Sequence, residues 1–376
     1  MKIALSILCE NPARPTGLTT LFHGLVGAGL RRFPDVGWLV FAGPGQPWVI
    51  HDPRVEVVRD FPANDRLVAR LWADHFCVGP RARTEGAAVL VTTGFMPLRA
   101  PLPVVMQVVT LHHALAGFEG GGLRRAYRRA VLARGLRRAS LVIANSQYAA
   151  DRLLQEQPGI KPRLCVSSEG LDQARYHARA EPGEAESMVR EIGVRPGAVL
   201  WLSNFYPYKQ ADRLIAAYAR LPDSLRAAHP LVMVGGDWQG GRRRAQAAAR
   251  EHGIEAQFPG WVDDRWLPVL YRQAAVHVLP STEETFGRTA VEAMACGCPC
   301  VLNDIPALRE VAAGAASLVN FFRTDEAAAA LHAALTDKAL AARRRTAGLE
   351  RAAVFSFERL AGERIAAIRT AIGAAP

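Results

Sequence analysis

Short apolar runs rich in β-branched residues alternate along the chain with longer stretches in which apolar positions recur at helical spacing. That alternation is the pattern of βαβ units and parallel sheets, so the predicted fold class is α/β. In the first half the predicted strands are Lys2–Leu8, Gly37–Ala42, Ala88–Thr92, Val104–Leu111 and Ser140–Ala144. In the second half they are Val199–Ser203, Leu231–Val234, Ala275–Leu279, Pro299–Asn303 and Ala316–Val319. Two such sets predict two doubly wound domains. Between them Gln173–Gly197 is polar and carries Glu181-Pro182-Gly183-Glu184 and Arg195-Pro196-Gly197, the composition of a linker with a short helix. The boundary falls near residue 180. The alanine-rich stretch Asp325–Ala347 predicts one helix of high intrinsic propensity.

Composition adds limits. A chain of 376 residues, half of them hydrophobic and 22% charged, is globular and too long for one core, and 32 Gly with 24 Pro exclude disordered and collagen-like classes. Six cysteines are too few for a disulfide framework, so a reduced, cytoplasmic setting is expected. Cys296, Cys298 and Cys300 alternate too closely for thiolate pairs turned toward one metal and read as small buried residues at a helix end and the next strand. The run Ile3–Cys9, stopped by Glu10-Asn11-Pro12, reads as a buried strand, because it lacks a charged leader region and a small-residue cleavage site. No stretch reaches the roughly 18 uncharged apolar residues of a membrane span.

Charge is the unusual feature. Lysines and arginines number 46 against 35 acids, a net +11, which raises nucleic acid, anionic membrane and phosphorylated ligands as partners. Residues 1–180 hold 23 basic and 13 acidic side chains, and residues 181–376 hold 23 and 22, so the front half carries +10 of the excess. Arg124, Arg125, Arg128, Arg129, Arg134, Arg137 and Arg138 lie between Leu123 and Arg138 with no acid among them. The first four share a helical face and the last three fall where the apolar stripe had been, so a break near Gly135 is expected.

The sharpest chemistry lies in Ala275–Val301, AVHVLPSTEETFGRTAVEAMACGCPCV. A buried strand ends at Pro280-Ser281, a polar loop follows, and a helix begins around Phe286-Gly287 and ends at Gly297. Loops beyond strand C-termini are where α/β sheets bind ligands, and the free N–H groups of the next helix favour an anion. Glu284 precedes that helix and Glu292 lies inside it, so one carboxylate can reach the mouth and the other a hydroxyl deeper along the same side. The alternative is a capping Glu283 or Glu284 and a solvated Glu292. A second segment, LWLSNFYPYKQADRLIAAYARL at Leu200–Leu221, places Lys209 in a strand-to-helix loop, where it can neutralise a departing diphosphate. In a third, VVMQVVTLHHALAG at Val104–Gly117, a strand ends in His112-His113, of which only one can face a ligand.

The Ala275–Val301 segment resembles the Glu-x7-Glu signature of retaining GT-B glycosyltransferases, glycosyltransferase family 4 in particular, including the PS-xx-E-x-FG opening and the EAMA-x-G-x-P run. The resemblance implies that Glu284 contacts the donor sugar, that Glu292 holds the ribose hydroxyls, and that Phe286, Gly287, Arg288 and Thr289 face the diphosphate. Leu200–Leu221 is similar to the family's G-R-L-x-x-x-K pattern, with Ser203-Asn204 in place of Gly-Arg. Asn204 then gives the phosphate a neutral hydrogen bond and Lys209 more of the charge. The strand ending at His112 is similar to the V-x-H-D motif, whose histidine sits beside the donor sugar. Gly17, with Thr16 and Thr19, occupies the place of the family's glycine-rich first loop, and Trp261 and Val262 the place of its base contacts. Phe355–Glu358 and the helix after it resemble a terminal helix crossing back to the first domain.

The resemblance also implies a GT-B architecture of two Rossmann-like domains facing a cleft, 1–180 completed by 357–376, and 181–356. The implied reaction is retaining transfer from a UDP- or GDP-linked sugar to a glycan or lipid-linked acceptor, with His112, Lys209 and Glu284 at the reacting centre. With no second carboxylate evident near His112, front-face attack is expected, in which the leaving phosphate takes the acceptor's proton. No metal and no further cofactor are expected, since no Asp-x-Asp is placed to hold one. The arginine-rich segment suggests an anionic membrane surface, the inner face of the cytoplasmic membrane. Two other readings remain: an epimerase or hydrolase of the same architecture, and a basic nucleic-acid binder, against which the arginines lack interleaved aromatics.

Overall fold

A computed structural model describes residues 1–10, 17–62, 65–111, 122–237 and 239–373 of the chain. It divides into two units, Met1–Gly170 with Ser356–Pro376, and Leu171–Phe355. The division falls about ten residues before the expected boundary near residue 180, because Leu171 and Tyr176 are already buried in the core of the second unit.

Unit 1 has seven parallel strands, β1 (Lys2–Ser6), β2 (Gly37–Phe41), β3 (Val55–Val58), β4 (Val89–Thr93), β5 (Val104–Val108), β6 (Leu141–Ala144) and β7 (Leu164–Val166), in the order β3-β2-β1-β4-β5-β6-β7. Alternation along β1 sends Ile3, Leu5 and Ile7 to one core, against Phe22 and Leu25 of helix Gly17–Arg32, and Ala4 and Leu8 to the other, against Val78 and Ala82. Both faces are covered, which is why the central strands read as unbroken apolar runs.

The chain returns to this unit through helix Phe357–Ala371, whose Phe357, Leu360, Ile365 and Ile368 enter the first core. Gly24 and Gly170 let the Phe357 ring in, since a Cβ on either would stand 2.1 and 2.4 Å from it. Arg364, fully buried, donates to Gln107 Oε1 at 2.5 Å and to the Ser167 carbonyl at 3.2 Å. A buried guanidinium needs such acceptors, and here they come from two other segments of the unit.

Unit 2 has six parallel strands, β8 (Val199–Leu202), β9 (Leu231–Val234), β10 (Ala256–Gly260), β11 (Val276–Leu279), β12 (Cys300–Asn303) and β13 (Ser317–Val319), ordered β10-β9-β8-β11-β12-β13. Two helical expectations change. The alanine-rich stretch is two helices, Thr324–Thr336 and Lys338–Ala353, because Asp337 stops the first and caps the second by accepting the Leu340 N–H at 2.8 Å. The arginine-rich segment is one helix, Gly122–Arg138, unbroken at Gly135, whose missing side chain makes room for Met106 Sδ, 2.2 Å from where a Cβ would stand. Cys296, Cys298 and Cys300 are free and buried, as expected of packing residues.

Candidate active site

In unit 2 the strand order reverses between β8 and β11, and ligands of doubly wound sheets settle beyond the C-terminal ends of such a pair. The chain leaves β8 at Ser203-Asn204 and passes through a 3₁₀ turn, Pro207–Lys209. It then enters helix Ala211–Ala219 after Gln210, which has a φ of 50°. This path delivers Lys209 to Glu284, on the loop after β11, with Nζ 2.5 Å from Oε1. Both side chains are nearly enclosed, 13% and 12% exposed, so neither is a solvated surface group. The Tyr208 carbonyl accepts the Thr282 N–H at 2.9 Å and its hydroxyl at 3.3 Å, which ties the two loops together. The Tyr208 ring lies under Lys209 Nζ at 5.2 Å and stacks on Tyr206. Burial first, and the Glu284 charge second, hold the Tyr208 phenol above its usual range, so it stays protonated.

Helix Arg288–Ala295 starts after Gly287, whose φ of 93° and whose closeness to Leu308 Cδ2, 2.6 Å from a would-be Cβ, both require glycine. Its own hydrogen bonds begin with Ala290 donating to Gly287, so the backbone of Gly287, Arg288 and Thr289 forms the helix mouth. Gly287, not Glu284, occupies the capping position, so the capping alternative for Glu284 falls. Glu292 sits one turn further in and is buried, which removes the solvated alternative as well. The Tyr271 hydroxyl donates to Glu292 Oε2 at 3.1 Å, and burial with the Glu292 charge drives that phenol well above its usual range. Phe286 is buried edge-on to Phe355 at 5.3 Å, so it fixes the backbone at the helix start and presents no side chain outward.

Asn204 is partly committed. Its Oδ1 accepts the Gly236 N–H at 3.0 Å, leaving its amide N–H groups for a ligand. Gly235, at φ 148°, comes so close that a Cβ would meet the Ser203 carbonyl oxygen at 1.7 Å. At the end of β10, Trp261 is 57% exposed while Val262 joins the core, so only the indole offers a side-chain surface there. The structure thus brings Asn204, Lys209, Glu284, Gly287, Arg288, Thr289 and Glu292 to the β8 and β11 end of unit 2, with Trp261 beyond the end of β10. A cavity of about 730 Å³, lined by Arg195, Arg226, Arg250 and Gln257 among others, opens near the start of β9 and β10 and includes none of them.

Of the unit 1 residues, Gly17 opens helix Gly17–Arg32 and is exposed, while His112 and the side chain of Arg124 lie outside the described residues. Arg125, Arg129, Arg137 and Arg138 are exposed. Arg134 instead donates to the Leu98 carbonyl at 3.3 Å, so the arginines do not share one role. No group of His, Cys, Asp and Glu among the described residues is arranged to hold a metal. The sequence reading missed Arg70, Asp74, His75 and Tyr127, a polar cluster at the C-terminal edge of the first sheet. The only signal for it was the helical spacing of Arg70 and Asp74, which pair at 2.7 Å.

Residues 185–351 match the model for glycosyl transferases group 1, and residues 16–175 match the model for glycosyltransferase family 4. The chain belongs to the GT-B glycosyltransferases and resembles family 4. The chain is 28% identical over 223 residues to O-antigen chain mannosyltransferase B of Escherichia coli, covering 58% of this chain and 55% of that one. It is 32% identical over 233 residues to a D-inositol 3-phosphate glycosyltransferase of Nocardia farcinica, covering 58% and 50%. The chain therefore spans about half the length of these curated relatives. Among solved structures it superposes on sucrose-phosphate synthase of Thermosynechococcus elongatus with a TM-score of 0.80 at 22% identity, over all of both chains. It also superposes on Anabaena HepE in complex with UDP-glucose, with a TM-score of 0.74 at 20% identity over 98% of this chain and 100% of that one.

Proposed function

We propose that the chain transfers a sugar, with retention, from a nucleotide-diphosphate donor to a glycan or lipid-linked acceptor, without a metal. The observation that carries the donor half of this reading is the Lys209–Glu284 ion pair at the β8–β11 switch point, with a buried Glu292 in the helix that follows the same loop. In the free protein each charge neutralises the other. A diphosphate arriving at the mouth of helix Arg288–Ala295 competes for Lys209 and frees Glu284 to accept hydrogen bonds from sugar hydroxyls. Glu292, held on one oxygen by Tyr271, takes the ribose, Asn204 adds an amide donor to the phosphate, and the exposed Trp261 stacks on the base.

As the glycosidic bond to phosphate breaks, negative charge grows on the diphosphate. Lys209 and the N–H groups of Gly287, Arg288 and Thr289 stabilise that charge more in the transition state than in the ground state. The leaving phosphate oxygen then takes the acceptor's proton on the same face of the sugar. Relatives named for O-antigen mannosyl transfer and D-inositol 3-phosphate glycosyl transfer support group transfer over epimerisation or hydrolysis. A panel of UDP- and GDP-sugars, scored by thermal stabilisation and then by product analysis with and without acceptors, tests the reading. Stabilisation by none of them, or free sugar as the sole product whatever the acceptor, contradicts it.

The exposed half of helix Gly122–Arg138 supports a second element of the reading, contact with an anionic membrane surface. Arg125 and Arg129 stand there with Leu123, 90% exposed, and no helix among the described residues is long and apolar enough to cross a membrane. Replacing Arg125 and Arg129 by Gln is expected to weaken cosedimentation with anionic vesicles, and unchanged cosedimentation removes this element.

A further inference from the structure

The mouth of helix Arg288–Ala295 stands on a residue from the far end of the unit. Phe286, immediately before Gly287, is 4% exposed, so its ring anchors the backbone of the mouth to the core. The ring it meets, edge-on at 5.3 Å and 88°, is that of Phe355, itself 3% exposed. Phe355 lies in the short joint between helices Lys338–Ala353 and Phe357–Ala371, and it is the last residue of unit 2, since the chain passes to unit 1 at Ser356.

That joint is held by side chains from two other segments. Gln173, just after the chain first enters unit 2, donates from Nε2 to the carbonyls of Ala353 at 3.1 Å and Phe355 at 3.4 Å. The Arg351 guanidinium lies over the Phe355 ring at 4.6 Å, and it donates to the carbonyls of Val311 at 2.8 Å and Glu310 at 3.0 Å, near the end of helix Pro306–Ala312. The same helix carries Leu308, the side chain that leaves Gly287 no room for a Cβ. The contacts therefore close a circuit. Gly287 rests on Leu308, Leu308 shares a helix with the acceptors of Arg351, Arg351 covers Phe355, and Phe355 meets Phe286.

The circuit matters because a helix mouth acts through main chain. A side chain can swing to follow a ligand, whereas backbone groups stay where the packing beneath them puts them, and small misplacements at a reacting centre are costly. Aromatic pairs at this distance favour edge-to-face geometry, so exchanging either ring for leucine removes a directional contact while keeping most of the core filled.

We propose that Phe355 is a positioning residue for the donor diphosphate. Through Phe286 it fixes the backbone of Gly287, Arg288 and Thr289, and Arg351 and Gln173 fix Phe355 in turn. The proposal rests on the glycosyl-transfer reading above, which brings the diphosphate to this mouth.

The full chain and its F286L, F355L and F286L/F355L variants are titrated calorimetrically with UDP and GDP, and with uridine and guanosine, which lack the diphosphate. Unfolding midpoints are measured on the same samples. Each single variant is expected to bind the preferred nucleotide diphosphate about tenfold more weakly, and the double variant no more weakly than either single one, since both substitutions break one contact. Nucleoside affinity is expected to stay the same. A lowered midpoint with unchanged diphosphate affinity would show that the ring pair only packs. Losses that multiply in the double variant would show that the rings act separately, and equal losses for nucleoside and diphosphate would show a general loosening of the unit. Each of these overturns the proposal. R351Q decides where F355L does not fold, because it keeps both rings and withdraws the group behind Phe355: diphosphate binding about threefold weaker is expected, and unchanged binding overturns the proposal. A parent that binds neither nucleotide diphosphate removes the donor reading and this proposal with it, whereas a parent and variants that bind equally well remove this proposal alone.

Discussion

The two units carry their central strands in the same order, yet their C-terminal edges are finished in opposite ways. In unit 2 the β8–β11 edge is electrostatically closed: Lys209 is answered by Glu284 at 2.5 Å, and Glu292 by the Tyr271 hydroxyl. In unit 1 the edge is left open: Arg70, His75 and Arg134 keep buried nitrogens that nothing described in the fold satisfies. The fold supplies the place in both cases, and the side chains decide what each place can take. A closed pair suits a ligand that brings both an anion for the lysine and hydroxyls for the carboxylate, as a nucleotide sugar does.

Several substitutions can break or sharpen that contrast, beginning with the largest expected effect. Lys209→Met removes the charge that meets the leaving diphosphate, and transfer is expected to slow by about 100- to 1,000-fold, roughly 3–4 kcal/mol of barrier, with KM changing less. A rate within threefold of the parent in a steady-state assay would show that the closed pair only braces the loops.

The next effect is on stability. His277 is wholly buried in β11, and burial, with a smaller push from Lys209, lowers its pKa from 6.5 to about 3. Its folded-state pKa lies below the unfolded value, so its contribution is fully present above pH 6.5 and is lost as pH falls toward 3, because the unfolded chain takes a proton that the fold refuses. Denaturation of the parent is expected to lose about 1.4 kcal/mol more per pH unit below 6.5 than denaturation of His277→Gln. Parallel stability profiles for the two proteins would mean that His277 titrates in the fold. Trp261→Ala is the mildest, weakening nucleotide binding by about 1–3 kcal/mol if the indole stacks on the base.

The same contrast explains how far the sequence could be read. Ten strands followed from apolar runs, but β3, β7 and β10 did not, and all three are sheet edges. Their sequences, VEVV, LCV and AQFPG, are short and half-exposed, so burial does not enforce an apolar run there. The donor side was legible because Glu284, Glu292 and Lys209 lie in local motifs that resemble a known family, whereas their spacing alone left a helix cap, a solvated helix face and a surface lysine open. The unit 1 cluster was not, because a π turn at Ala73–Cys77 shifts the helical register by one residue, and the cluster joins His75 to Tyr127 across a gap of 52 positions. Gly135 misled for a similar reason: from sequence a glycine amid arginines looks like a break, whereas only the fold reveals Met106 against it.

The most direct measurement is a calorimetric titration of the chain and of Glu292→Ala with UDP- and GDP-sugars. The expected result is saturable binding of one nucleotide class by the parent, weakened at least tenfold in Glu292→Ala while the variant's unfolding midpoint shows that it remains folded. Equal affinity in the two proteins, or no binding to the parent, would contradict the assignment of the β8–β11 edge as the donor site.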